Sequence, residues 1–184
     1  MLRGRLMLAD SVELSSKEQD ASSDASLSSS GRLPSVAIGD LRIQSATAAT
    51  LVDRIEDARS RRTSMRIAFC NAHTVLMAFD DPSYAATLRR MDLFNDGIGI
   101  EWAARILTGS GFPENLNGTD FVPRLFEVCR PGLRIGLLGA RAEVLSGALR
   151  RLRERFPQHE VVIARDGYFD RAQIGALTSE INAA

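Results

Sequence analysis

Apolar positions along the chain fall into two periods. In SATAATLVDRIEDARSRR, Ala48, Leu51, Val52, Ile55 and Ala58 recur every three or four residues, the spacing of one helical face. Just before it, SVAIGDLRIQ places Val36 and Ile38, then Leu41 and Ile43, at alternate positions around Gly39-Asp40, which predicts a small hairpin. Beyond it, short continuous apolar runs take turns with helical ones. MRIAFC, DLFND, LRIGLLG and EVVIARDG read as strands. HTVLMAFDD is a helix stopped by Pro82, followed by SYAATLRRM, and IEWAARILTG is closed by Gly109. TDFVPRLFEVC has Thr119 or Asp120 as its expected N-cap, RAEVLSGALRRLRERF ends at Pro157, and RAQIGALTSEINAA closes the chain. Strands apolar throughout, alternating with helices, predict an α/β fold. The expected form is a mostly parallel Rossmann-like sheet with helices on both faces and a small N-terminal β-hairpin.

The head of the chain breaks this pattern. Residues 11–31, SVELSSKEQDASSDASLSSSG, carry too few apolar side chains to offset the entropy of ordering them. Residues 1–33 are therefore expected to be a disordered Ser-rich segment, and residues 34–184 one α/β domain. The patch Leu6-Met7-Leu8, too short for a secretory signal, reads as part of a start-site extension, with a weak surface anchor as the alternative.

Charge narrows the function classes. Lys plus Arg and Asp plus Glu both number 23, so no global basic field draws the chain to nucleic acid. Arg150, Arg151, Arg153 and Arg155 read as a solvated helix face. Two cysteines, Cys70 and Cys129, and two histidines, His73 and His159, are too few and too scattered for a zinc site. No apolar run reaches the roughly 20 residues of a membrane span.

The candidate chemistry gathers where strands pass into helices, the edge at which open α/β sheets bind ligands. LRRMDLFNDGIGIEWAARIL poses the question most sharply: Asp96 and two glycines stand where a buried strand gives way to an apparently buried helix bearing Ile100, Trp102 and Ile106. Further polar groups end the other strands or open helices: Asn71, Gly139, Asn117-Gly118-Thr119-Asp120 and Asp166-Gly167-Tyr168-Phe169. Glycines at such turns let backbone N–H groups approach a phosphate. An aspartate at the rim serves as a general base when its pKa suits, and a tyrosine stacks on a nucleobase. Together these suit group transfer from a nucleotide diphosphate to a hydroxyl. Each residue also has a plainer role: Asp96 as a helix cap, Asn71 bonding its neighbouring backbone, Gly97 and Gly99 closing a turn, Tyr168 and Phe169 in the core. Trp102 occupies the third glycine position of a dinucleotide fingerprint, which weakens a nicotinamide reading, and no P-loop or G-x-S-x-G is present.

Five segments, AFCNAHTVLMA, FNDGIGIEWAARIL, NLNGTDFVPRLFEVC, LRIGLLGARAEVLSGALRRLRERFP and DGYF, stand in the order found in the WecG/TagA/CpsF glycosyltransferase family. The chain resembles that family over roughly residues 36–184, and its exopolysaccharide, xanthan-type branch in particular. The resemblance implies an inverting, membrane-associated glycosyltransferase at the inner face of the bacterial cytoplasmic membrane. It would add glucose, N-acetylmannosamine or its uronic acid from a UDP-sugar to a sugar on undecaprenyl diphosphate. It implies no cofactor and no metal, in keeping with the absence of an Asp-x-Asp pair, and often a homo-oligomer. By the same resemblance Asp96 is the general base. Asn71 matches an acceptor-side asparagine, and Gly118 and Asp120 the Gly-x-Asp that opens a helix; Gly97 and Gly99, read from the residues alone, are expected among the glycine-rich turns that hold UDP. Gly139 ends the Leu-Leu-Gly turn and Tyr168 belongs to Gly-Tyr-Phe, near the uridine. The chain departs from the family at Phe69, where a threonine is usual, and at Asn115, where an arginine is frequent. The family continues past the position of Ala184 with a further strand, a Gly-x-Pro-x-Gln-Glu segment and a basic appendage, so a truncated and poorly active chain is expected. The alternative is a degenerate, non-catalytic nucleotide-binding or assembly module.

Overall fold

The computed structural model describes residues 6–9 and 32–184. Most of the Ser-rich head lies outside them, and with it most of the span expected to be disordered. Within that head, Leu6–Ala9 form strand β1, paired in parallel with β4, Met65–Cys70.

The chain divides into two compact units, Met1–Arg124 and Leu125–Ala184. The first holds a five-stranded sheet ordered β1-β4-β5-β3-β2, with β2 Ser35–Ile38, β3 Leu41–Gln44 and β5 Asp92–Asn95. The hairpin at Gly39-Asp40 is present as β2 against β3, antiparallel, with Gly39 at φ 58. All other pairings in this sheet are parallel. Pairing of Ala68 with Leu93 and of Cys70 with Asn95 sets the register of the two central strands.

Alternation along those strands builds a core on each face. Ala68, Cys70 and Leu93 join Leu41, Ile43, Leu88, Ile100 and Ala104 in one cluster, covered by α2 Ala72–Asp80, α3 Pro82–Leu88 and α4 Ile98–Thr108. Ile67 and Phe94 point the other way and are as deeply buried, as are Leu51 and Ile55 of α1, Ala48–Arg61. The mostly parallel sheet with helices around it thus agrees with the sequence pattern.

Helix α4 corrects one expectation. Only Ile100 and Ala104 are buried, whereas Ile98, Trp102 and Ile106 are 72%, 62% and 78% exposed. Ile100 and Ala104 stand one turn apart and meet the sheet, which leaves Ile98, Trp102 and Ile106, also four apart, on the outward side. The helix is apolar almost all round, so its pattern does not say which side is inside.

The second unit carries a parallel pair, β6 Arg134–Leu138 and β7 Glu160–Arg165, joined through α6 Ala142–Arg155 and followed by α7 Ile174–Ala183. The last turns of α5, Gly118–Val128, contribute Phe126, which meets Phe156 edge-on at 5.6 Å. Buried His159 joins them. Leu133 N–H donates to its Nδ1 (3.4 Å), so its Nε2 carries the proton and donates to the Phe126 carbonyl (2.8 Å). Both ring nitrogens therefore serve the fold.

Candidate active site

In the first unit, the ends of β4 and β5 bring several of the expected residues together. The Asp96 N–H donates to the Cys70 carbonyl (2.9 Å), extending the β4–β5 ladder by one bond and placing half-buried Asp96 beside the residue that precedes Asn71. Gly97 begins α4 at φ 85 and ψ 171, a conformation that strains any residue with a Cβ. The first turns of α2 and α4 then run side by side. A Cβ on Gly99 would lie 3.0 Å from that of Ala72, so this glycine permits close approach of two helix starts. Asn71, Asp96, Gly97 and Gly99 thus share one edge, where two helix N-termini present their partial positive charge.

Several of these groups are already engaged. Asn71 caps α2, its Oδ1 accepting from the Thr74 N–H (3.0 Å) and hydroxyl (3.1 Å), which is the backbone-bonding role weighed from sequence. The Gly97 N–H donates to Asn115 Oδ1 (2.8 Å). Gly118 sits against the Phe69 ring, where a Cβ would come within 3.0 Å, and the Phe121 ring on the following turn lies tilted against the same ring, 5.7 Å between centroids. The large side chain at residue 69 is thereby accommodated by the absence of one at residue 118. Asp120 is not the N-cap of α5. Asn117 takes that part, accepting from the Asp120 N–H (2.9 Å) while its Nδ2 donates to Asp120 Oδ2 (2.8 Å).

Charge at this edge reaches one buried group. Cys70, fully buried beneath the Asp96 turn, has its thiol pushed up to about 12, first by burial and then by the Asp96 carboxylate. Its sulfur is therefore a neutral core group, not a nucleophile.

In the second unit, the loops after β6 and β7 are stitched together. Gly139 N–H donates to the Arg165 carbonyl (3.0 Å) and Gly167 N–H to the Ala140 carbonyl (3.0 Å). Gly139 has φ 124, and Ala140 lies in the left-handed region at φ 59. A Cβ on Gly167 would meet the Gly139 Cα at 3.1 Å, so backbone packing favours glycine there. Tyr168 is 74% exposed, not part of the core, and its N–H is held by Asp166 Oδ1 (2.9 Å).

Two residues at the first edge escaped the sequence reading, Asn95 and Glu114; two others were read without their bonds, Asn115 as a departure from the family and Asn117 as part of the cluster that opens a helix. Asn95 is 1% exposed; its Nδ2 donates to the Glu114 carbonyl (3.0 Å) and its own carbonyl accepts from the Leu116 N–H (3.1 Å). The spacing of Asn117 and Asp120 carried a capping signal that was legible; the bonds from Asn95 and Asn115 span 19 and 18 residues and left none.

The profile of the glycosyl transferase WecG/TagA/CpsF family matches residues 36–184. The chain belongs to this family. No curated protein matches it. Membership of the WecG/TagA/CpsF family makes this a glycosyltransferase domain of cell-surface polysaccharide biosynthesis, a class that works between a sugar donor and a lipid-linked acceptor. Among the described residues no helix is long and apolar enough to cross a membrane.

Proposed function

We propose that the protein is an inverting transferase. It moves glucose, N-acetylmannosamine or its uronic acid from UDP to the sugar of an undecaprenyl-diphosphate-linked acceptor, at the inner face of the cytoplasmic membrane. The Asp96 carboxylate accepts the proton of the acceptor hydroxyl. That oxygen forms its bond to the anomeric carbon from the face opposite UDP, and the bond to the UDP oxygen breaks with its electron pair leaving on the diphosphate. Asn71 serves the acceptor; Gly97, Gly99, Gly118 and Asp120 shape the turns and helix starts against which the donor lies. Gly139 and Tyr168 are further substrate-binding residues in this reading, the tyrosine for the uracil.

The observation that carries this reading is the position of Asp96. It is a half-buried carboxylate at a strand end, tied to the neighbouring strand beside Asn71 and followed by a glycine turn into a helix. A UDP-sugar panel with undecaprenyl-diphospho-sugar tests it. Asp96→Asn is expected to lower turnover by about 10²–10⁴-fold, the range of a lost general base, while UDP binding by calorimetry stays unchanged. Equal turnover of the two proteins removes Asp96 from the mechanism. UDP binding with no transfer by the wild type supports the non-catalytic module instead.

A further inference from the structure

We propose that the segment Glu114–Asn117 is a clamp on the turn that carries Asp96, with Asn115 as its positioning residue; this rests on the reading of Asp96 as the base.

A carboxylate that precedes a glycine is aimed only as well as that glycine's peptide plane is fixed. Gly97, at φ 85, has no side chain to restrict it. Its N–H is instead held by Asn115 Oδ1 at 2.8 Å, a bond across 18 residues of chain. Asn115 is exposed, and both of its neighbours are tied to one side of the turn. Asn95 takes the Glu114 carbonyl through its side chain (3.0 Å) and the Leu116 N–H through its main chain (3.1 Å). Glu114 is anchored in turn. Its Oε2 accepts from the Ala48 N–H at the start of α1 (2.7 Å), and its Oε1 pairs with Arg124 (2.9 Å). Asn117 completes the segment by capping α5. Four consecutive residues thus connect the starts of α1 and α5 to the two residues that flank Asp96.

Asn95 shows that this arrangement is maintained against an opposing cost. Its Oδ1 is buried with no hydrogen-bond partner among the described residues. A buried acceptor left unpaired is unfavourable, and an apolar side chain would fill the same space without that penalty. What the amide supplies is the Nδ2 bond that fixes the Glu114 carbonyl, and so the base of Asn115.

The test compares wild type, Asn115→Ala and Asn115→Asp in the full chain, by two readouts. The first is exchange of the Gly97 amide proton. It is expected to quicken in N115A and to stay near wild type in N115D, which keeps an acceptor oxygen, with melting temperature little changed because residue 115 is exposed. Unchanged exchange in N115A overturns the clamp. The second is transfer. N115A is expected to lose about 100-fold in kcat, the scale of a displaced reacting group, with KM for the donor nearly constant, and N115D to recover most of the loss. An N115A enzyme with wild-type kcat overturns the positioning role even where the amide is freed. Altered exchange together with an Asp96→Asn enzyme of full activity supports the clamp and overturns the base. The two ideas therefore fail separately.

Discussion

Cys70 shows how strongly a single position can be decided by its surroundings. It pairs with Asn95 across the two central strands, is fully buried, and lies near enough to Asp96 for that carboxylate to oppose its ionisation. The thiol moves from its ordinary 9.0 to about 12. A Cys129→Ala protein is therefore expected to show no rapid reaction of Cys70 with a thiol reagent at pH 8 until it is unfolded. The sign of the linked stability follows. With the folded-state value raised, the contribution is fully present below the unfolded value and is lost as pH rises from about 9 toward 12. Denaturant melts of this protein should weaken over that window more than those of a Cys70→Ala companion; parallel curves would show that the thiol titrates alike in both states. Asp96→Asn should leave Cys70 unreactive at pH 8, because burial is the larger cause.

At the scale of elements, the loop that follows α4 is tied back to the first turn of that helix by Glu101. Its Oε2 accepts from the Phe112 N–H (2.9 Å) and its Oε1 meets Arg105 Nε (2.7 Å), which hold the carboxyl below the usual range, the Phe112 bond first. A depressed folded-state value stabilises at neutral pH and loses its effect as pH falls through it. Glu101→Gln should thus lower the melting temperature at pH 7, and the difference from wild type should shrink on the acid side of about pH 4, the ordinary glutamate range. A Cβ on Gly111 would strike the same carboxylate, so Gly111→Ala should reproduce the acid dependence of Glu101→Gln. Wild-type acid dependence in Gly111→Ala would mean that the pin at Phe112 survives. None of this was visible in the sequence, although the helix itself was. The hairpin at Gly39-Asp40, the inward face of α1, and strands β4 to β7 were legible because periodicity and turn residues are local signals. Three things were not: the outward face of α4, since a helix with apolar side chains on nearly every side of Glu101 and Arg105 has no readable inside; strand β1, since pairing of Leu6 with Met65 is decided far along the chain; and the clamp, since its asparagines act across 18 and 19 residues. Asp96 and the glycines beside it stood out early because strand ends announce themselves. The cluster that aims them did not.

For the whole molecule, the two units differ in how much structure protects their backbones. In the first, β4 and β5 are central strands with a neighbour on each side, and Ile67, Ala68, Cys70, Leu93, Phe94 and Asn95 are all buried. In the second, β6 and β7 have only each other among the described residues. No residue of β7 is fully buried, and α7 buries none. Two paired strands without further neighbours are marginal on their own, and local opening follows the number of buried contacts that must break. Native-state hydrogen exchange should therefore rank the amides of Ile67–Cys70 and Leu93–Asn95 slowest, with those of Val161–Ala164 faster by more than about tenfold, a step that corresponds to separate openings. If the Gly139 and Gly167 stitches hold the second unit together, Gly167→Ala, which forces a Cβ onto the Gly139 backbone, should quicken exchange throughout β6 and β7 and leave β4 and β5 untouched. One common exchange rate across all four strands, moving together in Gly167→Ala, would instead mean that the chain opens as a single cooperative body.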